Sequence, residues 1–303
     1  MMRTRYAPDR GLTTRMTVTL FLLGLLYVAF VAVLVALGVR AVVVLALAAG
    51  LLLVQYFFSD RIALFAMHGR LVTPEQAPEL HGMVDRLAAM ANMPKPKVAI
   101  ADADVPNAFA TGRNRKNSVV CVTTGMLRRL EPAELEGVLA HEMAHIAHRD
   151  VAVMTIASFL GIVAGLMTRI ALYSGFGGGR GNRNGAPIGL LILLVSAVVY
   201  AVSFLLTRAL SRYRELAADR GGALLTGRPS ALASALTKVS GEMARIPTRD
   251  LREAEPFNAF YFAPALSRRG AAAGLAALFS THPPLEQRLA QLHRIAAELG
   301  RGA

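Results

Sequence analysis

His141-Glu142-Met143-Ala144-His145, followed directly after Asp150 by an uncharged apolar segment of membrane length, decides the reading of this chain. On a helix, histidines four apart share a face and differ by about 6 Å of rise. Both imidazoles then reach one Zn²⁺, and the glutamate beside the first reaches a water in the metal's open position. The motif predicts a zinc hydrolase. Its place in the chain predicts that the hydrolase works at a bilayer.

The composition agrees. Of 303 residues, 54% are hydrophobic, and the mean hydropathy is +0.45. That is too apolar for an ordinary soluble domain, and the length allows a membrane part plus one compact domain. The net charge is +13, and 29 of the 33 basic residues are arginine, a bias that suits a GC-rich bacterial genome. Arg3, Arg5, Arg10 and Arg15 precede the first apolar run, and Arg208, Arg212 and Arg214 follow the last. They read as anchors to anionic lipid and as topology signals. No nucleic-acid motif or aromatic platform accompanies them, so a nucleic-acid partner is not expected. The single cysteine, Cys121, excludes an intrachain disulfide and a cysteine-based metal site. It lies in an apolar run and reads as buried packing.

Four apolar segments stand out: Met16–Val39, Ala41–Phe58, Val151–Thr168 and Pro187–Thr207. Each is near the roughly 20 residues that a spanning helix needs. The first is no cleaved signal peptide, because its apolar stretch is too long and a second follows directly. The third and fourth read as spans, the alternative being a hydrophobic hairpin buried in protein or half inserted. The expected class is therefore membrane α-helical plus α+β. It divides into a tail and hairpin (1–58), a first soluble part (59–150), a second hairpin (151–207) and a second soluble part (208–303).

In the first soluble part, Thr73-Pro74-Glu75-Gln76 reads as a capped helix start, with the helix running to Asn92. Val98–Ala101, Ala108–Thr111 and Ser118–Thr124 read as short strands, with a turn over Gly112–Asn117. Glu131-Pro132 opens the helix that carries the two histidines. Gly175–Gly185 reads as a loop between hydrophobic segments. Ser211–Leu225, closed by Gly227, Ser230–Ala244 and Pro284–Leu299 read as helices, and Ile246–Pro264 as a proline-broken loop.

Zinc needs a third protein ligand besides His141 and His145. His148 shares their face but lies about 10 Å of rise from His141, too far to reach the same ion. In Ser211-Arg212-Tyr213-Arg214-Glu215-Leu216-Ala217-Ala218-Asp219, Glu215 and Asp219 fall four apart on one face. Glu215 could be the ligand, with Asp219 bonding a ligand imidazole from behind. A solvated acidic face paired with Arg212 or Arg214 fits the spacing equally well. Topology adds a constraint. If Glu215 joins the histidines, the chain between them crosses the bilayer an even number of times, and two apolar segments lie there. The N-terminal arginines favour a cytoplasmic N-terminus, which puts both halves of the site in the cytoplasm of a cell (inner or plasma) membrane protein. Arg180 and Arg183 on the far side count mildly against this.

These residues resemble the HtpX family of membrane zinc endopeptidases, relatives of the CAAX prenyl endopeptidases. The resemblance rests on the H-E-M-A-H run, the S-R-Y-R-E-L-A-A-D run, Thr281-His282-Pro283-Pro284-Leu285-Glu286-Gln287-Arg288 and Pro106-Asn107-Ala108-Phe109-Ala110. The paired N-terminal spans and the two segments between the ligand helices extend it over nearly the whole chain. It implies Glu215 as third ligand of one Zn²⁺ per subunit, Asp219 as its supporting carboxylate and a gluzincin-like domain facing the cytoplasm. It also implies a role in quality control, the cutting of misfolded or damaged membrane proteins under stress.

In such chemistry Glu142 is the general base. His282, stiffened by Pro283-Pro284, is a candidate to stabilise the oxyanion, or else a structural histidine at a helix start. Asn107, just before a strand, is a candidate to bind the substrate backbone beside an edge strand, or else a turn residue. Asn258-Ala259-Phe260 repeats its letters without strand context. Phe257, Phe260, Tyr261 and Phe262 are expected to pack on the catalytic domain rather than touch lipid. A CAAX-type prenyl-peptide protease would need more spans than four. A silent membrane scaffold or holdase would have no use for Glu142. A transporter would need ionisable groups inside the apolar cores, which have no acidic residue or histidine.

Overall fold

The computed structural model describes residues 10–37, 41–150, 185–243, 262 and 281–300, together with part of 153–168. Two long helices open it, α1 (Arg10–Ala36) and α2 (Ala41–Ala66). Then come β1 (Gly69–Leu71), α3 (Pro78–Ala91), β2 (Lys97–Ala101), β3 (Ala108–Asn114), β4 (Asn117–Thr123), α4 (Thr124–Arg129) and α5 (Pro132–Ala147). The described positions between Val153 and Thr168 are helical. α6 (Gly185–Thr226), α7 (Pro229–Met243) and α8 (Leu285–Gly300) complete the described fold.

The strands form one sheet in the order β1-β2-β4-β3, with β2 and β4 parallel and the outer pairs antiparallel. Alternation along β4 sends its side chains to two cores, as strand geometry requires. Val119 and Cys121 face Ala63 near the end of α2, while Val120 and Val122 join the main core with α3, α5 and α7. Cys121 is fully buried, and burial pushes its thiol up to about 12. β3 lies at the sheet edge and packs beside α5.

α1 and α6 are the two described helices long and apolar enough to cross a membrane. Their apolar side chains point largely outward, with Phe21 69%, Val28 65% and Val198 62% exposed. A soluble core helix would bury such groups, so this surface calls for lipid or another protein. Inside the bundle, Phe30 and Leu34 of α1 pack with Val163, Ala164 and Val199.

Four expectations need correction. α6 is one unbroken helix of 42 residues, not a span followed by a separate helix at Ser211. Between Leu190 and Arg220 it contains neither glycine nor proline, so nothing interrupts its ladder. Its end is as expected, with Gly227 left-handed at φ 68°. α3 begins at Pro78 rather than at Pro74. Thr73–Gln76 forms only a turn, closed by Gln76 Oε1 accepting from the Thr73 amide at 3.0 Å. A helix begun at Pro74 would need an amide hydrogen that Pro78 lacks. α2 runs on past Phe58 to Ala66, carrying Asp60 and Arg61, and docks its end on the sheet. β1, too short to show alternation, was not expected, and β3 extends to Asn114 with an irregularity after Gly112. The Gly175–Gly185 loop, apart from its last residue, Phe257, Phe260 and Tyr261 lie outside the described residues.

Candidate metal centre

α5 is central because it is apolar nearly all round. Leu135, Val138, Leu139, Met143 and Ile146 are buried on every side of the two histidines. Its start is fixed by Pro132 and a capping box in which Glu131 and Glu134 bond each other's amides. α6 crosses it at close range. A Cβ on Gly222 would stand 2.8 Å from the His141 nitrogen and 3.0 Å from its Cα. That contact brings the carboxylates one and two turns before Gly222 to the histidine face.

His141 Nε2 and His145 Nε2 lie 3.2 Å apart. Glu215 Oε2 stands 3.7 Å from the first, and Glu215 Oε1 3.4 Å from the second. A tetrahedral zinc with bonds of about 2.0–2.1 Å sets its donors about 3.3–3.4 Å apart. The three residues therefore fit one zinc ion, with a fourth position left over. His141, Glu142 and Glu215 are all under 9% exposed.

Each imidazole is held from behind. His145 Nδ1 donates to Asp150 Oδ2 at 2.6 Å. His141 Nδ1 stands 2.9 Å from Asp219 Oδ1, close but out of line for a formal hydrogen bond. Both carboxylates only accept, so the protons belong on Nδ1 and the Nε2 lone pairs face the common point. Each carboxylate has its own arginine. Arg214 reaches Asp150 at 3.0 Å. Arg288 of α8 grips Asp219 with two bonds of 2.8 and 2.6 Å and donates to the Phe262 carbonyl. The Phe262 ring meets His141 edge-on, with centroids 5.3 Å apart.

The electrostatics follow from these pairs. Burial alone would raise Asp150, but Arg214 and His145 outweigh it and hold the carboxyl at about 2. Asp219 is held at about 2 in the same way by Arg288 and His141. Burial would raise Glu215, yet His282, His141 and His145 hold it well below the carboxylate range. Burial would lower His145, but Asp150 and Glu215 lift it to about 10. Such a cluster attracts cations. Glu142 differs, since burial raises its carboxyl and so favours holding a proton. Its Oε2 accepts the Ala110 amide of edge strand β3 at 2.9 Å.

The sequence-predicted residues thus converge. His141, His145 and Glu215 meet around one point, Asp219 supports His141, and Glu142 lies beside β3. His282 Nδ1 contacts Glu215 Oε2 at 2.9 Å. Asn107 is fully buried at the head of β3, and its side-chain oxygen accepts the Phe262 amide at 2.9 Å. His148 is exposed past the end of α5. Three supports were not foreseen. Asp150 read as the last residue before a span, and Arg288 had no role within its motif. Arg214, read as a lipid anchor, is 8% exposed and paired to Asp150. The visible signal was a carboxylate five residues beyond the second histidine. It returns to that histidine because Arg149 adopts a left-handed φ of 57°.

Comparison with known proteins places the chain. Residues 74–296 match the family described as Peptidase family M48. Protease HtpX homolog 1 of Streptomyces coelicolor is 66% identical over 302 residues, covering 99% of this chain and 97% of that protein. Protease HtpX homolog of Moorella thermoacetica is 54% identical, covering 98% and 99%. Among solved structures, Ste24p of S. mikatae superposes with a TM-score of 0.56 at 17% identity, over 94% of this chain and 67% of that one. That likeness concerns the fold alone.

Proposed function

The chain belongs to Peptidase family M48, and we propose that it is a membrane-embedded zinc endopeptidase that hydrolyses misfolded or damaged membrane proteins under stress. The observation that carries the proposal is the meeting of one donor atom each from His141, His145 and Glu215 within 4.8 Å of one another, with the Glu142 carboxylate beside an edge strand.

A zinc ion bound there would supply Lewis acidity toward a peptide carbonyl and acidify a water. The chain's own residues do the rest. Glu142 takes the proton from the attacking water and returns it to the leaving amine. Its buried setting, which favours the protonated carboxyl, suits the second half of that task. An extended substrate segment pairs with β3, whose Ala110 amide already points away from β4 toward the site. Asn107 would contact the substrate backbone, although its carboxamide oxygen also braces Phe262. His282 would stabilise the oxyanion while its Nδ1 holds Glu215.

The membrane arrangement proposed is multi-pass, with both halves of the catalytic domain on the cytoplasmic side of a cell membrane. α6 runs from an apolar span straight into Glu215, so the ligand is rigidly fixed to the membrane part. The deciding experiment compares wild type with Glu142→Gln, purified in detergent, on an unfolded substrate. Zinc-dependent cleavage by wild type is expected, with a loss of about 10²–10⁴-fold in the variant and zinc content unchanged. No bound zinc and no cleavage in either protein would favour a silent scaffold or holdase instead, whereas zinc bound without cleavage would point to latency or a missing native substrate.

A further inference from the structure

The start of α1, the C-terminal part of α6 and one face of α8 enclose a cavity of about 270 Å³. Arg15, Arg220 and Arg294 line it, against a single acidic residue, Glu298. The Arg220 contact with Glu298 is long, 3.5 Å, and the buried Arg220 Nε has no hydrogen-bond partner. Arg15 lies over the Tyr213 ring at 5.9 Å. Among the described residues neither Arg15 nor Arg294 forms an ion pair. Three guanidiniums around one cavity repel each other, and a buried unbonded N–H is costly. An anion in the cavity relieves both.

Position identifies the anion. Arg15 is the last charge before the apolar run Met16–Val39, so the cavity opens where the hydrocarbon layer of a bilayer would begin. Phosphate groups are densest at that height, and basic pockets beside spanning helices take headgroups there. Leu12, Leu216 and Ile295 give the same cavity an apolar lining suited to the lipid's glycerol end. We propose that this cavity binds the phosphate headgroup of an anionic phospholipid.

A bound headgroup would tie α1 to the two helices that support the metal centre. Gln291 of α8, in the cavity wall, donates to the Leu216 carbonyl at 2.8 Å. Leu216 directly follows Glu215, and Arg288 on the same α8 holds Asp219. The lipid site stands independently of the peptidase reading, because it requires only a membrane and the cavity.

The test is native mass spectrometry of the full chain in detergent, titrated with phosphatidylglycerol and separately with phosphatidylcholine. Wild type should retain phosphatidylglycerol about tenfold better or more, since each juxtamembrane arginine adds its own attraction. Arg15→Gln/Arg220→Gln/Arg294→Gln should lose that preference, and Arg70→Gln, an exposed arginine on β1, should keep it. Arg294→Gln alone, at an exposed position, should lower it severalfold without changing the melting temperature, which separates lipid loss from misfolding. Equal retention of the two lipids by wild type, or an undiminished preference in the triple variant, would overturn the proposal. Displacement of phosphatidylglycerol by inorganic phosphate at matched concentration would overturn the lipid as source and assign the site to a soluble phosphate.

Discussion

Asp150 Oδ2 lies between His145 and Arg214, 2.6 Å from the imidazole Nδ1 and 3.0 Å from the guanidinium. The carboxylate fixes the ring's tautomer and its aim, and the arginine fixes the carboxylate. Partners of this kind are typically worth about 10–100-fold in metal affinity. Asp150→Ala should weaken zinc binding by that factor, measured by competition with a chelator of known affinity. Asp150→Asn keeps an acceptor and should lose less. Unchanged affinity in Asp150→Ala would remove Asp150 from the support of the metal centre.

The other histidine is supported by Asp219 and Arg288, 0% and 2% exposed in their side chains. Removing one member of a buried pair leaves the other charge uncompensated, at a cost of about 3–5 kcal/mol. Arg288→Met should therefore lower the melting temperature sharply even without zinc. Arg288→Lys should recover little, because a point charge does not replace a two-pronged grip. A lysine variant as stable as wild type would show that charge alone suffices there.

Much of this architecture was legible in the sequence because its signals are local. Glu131 and Pro132 announce α5, and Gly227 announces the end of α6. The i, i+4 spacings of His141 with His145 and of Glu215 with Asp219 put each pair on one face before any fold is known. What stayed hidden depends on contacts between distant residues. Arg288 meets Asp219 across 69 positions, and no local pattern pairs them. Arg214 looked like an arginine flanking a span because its neighbours Arg208 and Arg212 have that character. Only the crossing of α5 and α6 turns it inward. Asp150 was close in sequence but needed the left-handed Arg149 to point back.

Gly222 is the hinge of that crossing. An added methyl would press on the backbone of Ala140 and His141 at 2.8–3.1 Å, where no flexible side chain can yield. Overpacking of this kind costs about 1–3 kcal/mol. Gly222→Ala should also push α6 from α5 and spread the donors, weakening zinc affinity more than tenfold. Gly241→Ala, whose added methyl meets nothing within 4 Å, is the matched control. Equal zinc affinity in the two variants would show that the crossing tolerates the added volume.

Zinc binding should depend on pH further into the alkaline range than an ordinary histidine site. In the zinc-free protein Asp150 and Glu215 raise His145 from 6.5 to about 10, despite burial. Zinc must displace that proton, so affinity should rise by up to about tenfold per pH unit between pH 7 and 9 for this one group. A histidine titrating at 6.5 would give a flat curve over the same window. The shift also fixes the stability of the zinc-free form. The folded value lies above the unfolded one, so the linked stabilisation is complete below pH 6.5 and is lost as pH rises through about 10. Asp150→Ala removes one cause of the shift and should flatten the affinity curve. Chelator competition at pH 7, 8 and 9 on both proteins measures this, and parallel curves would refute the role of Asp150 in holding the displaced proton on His145 Nε2.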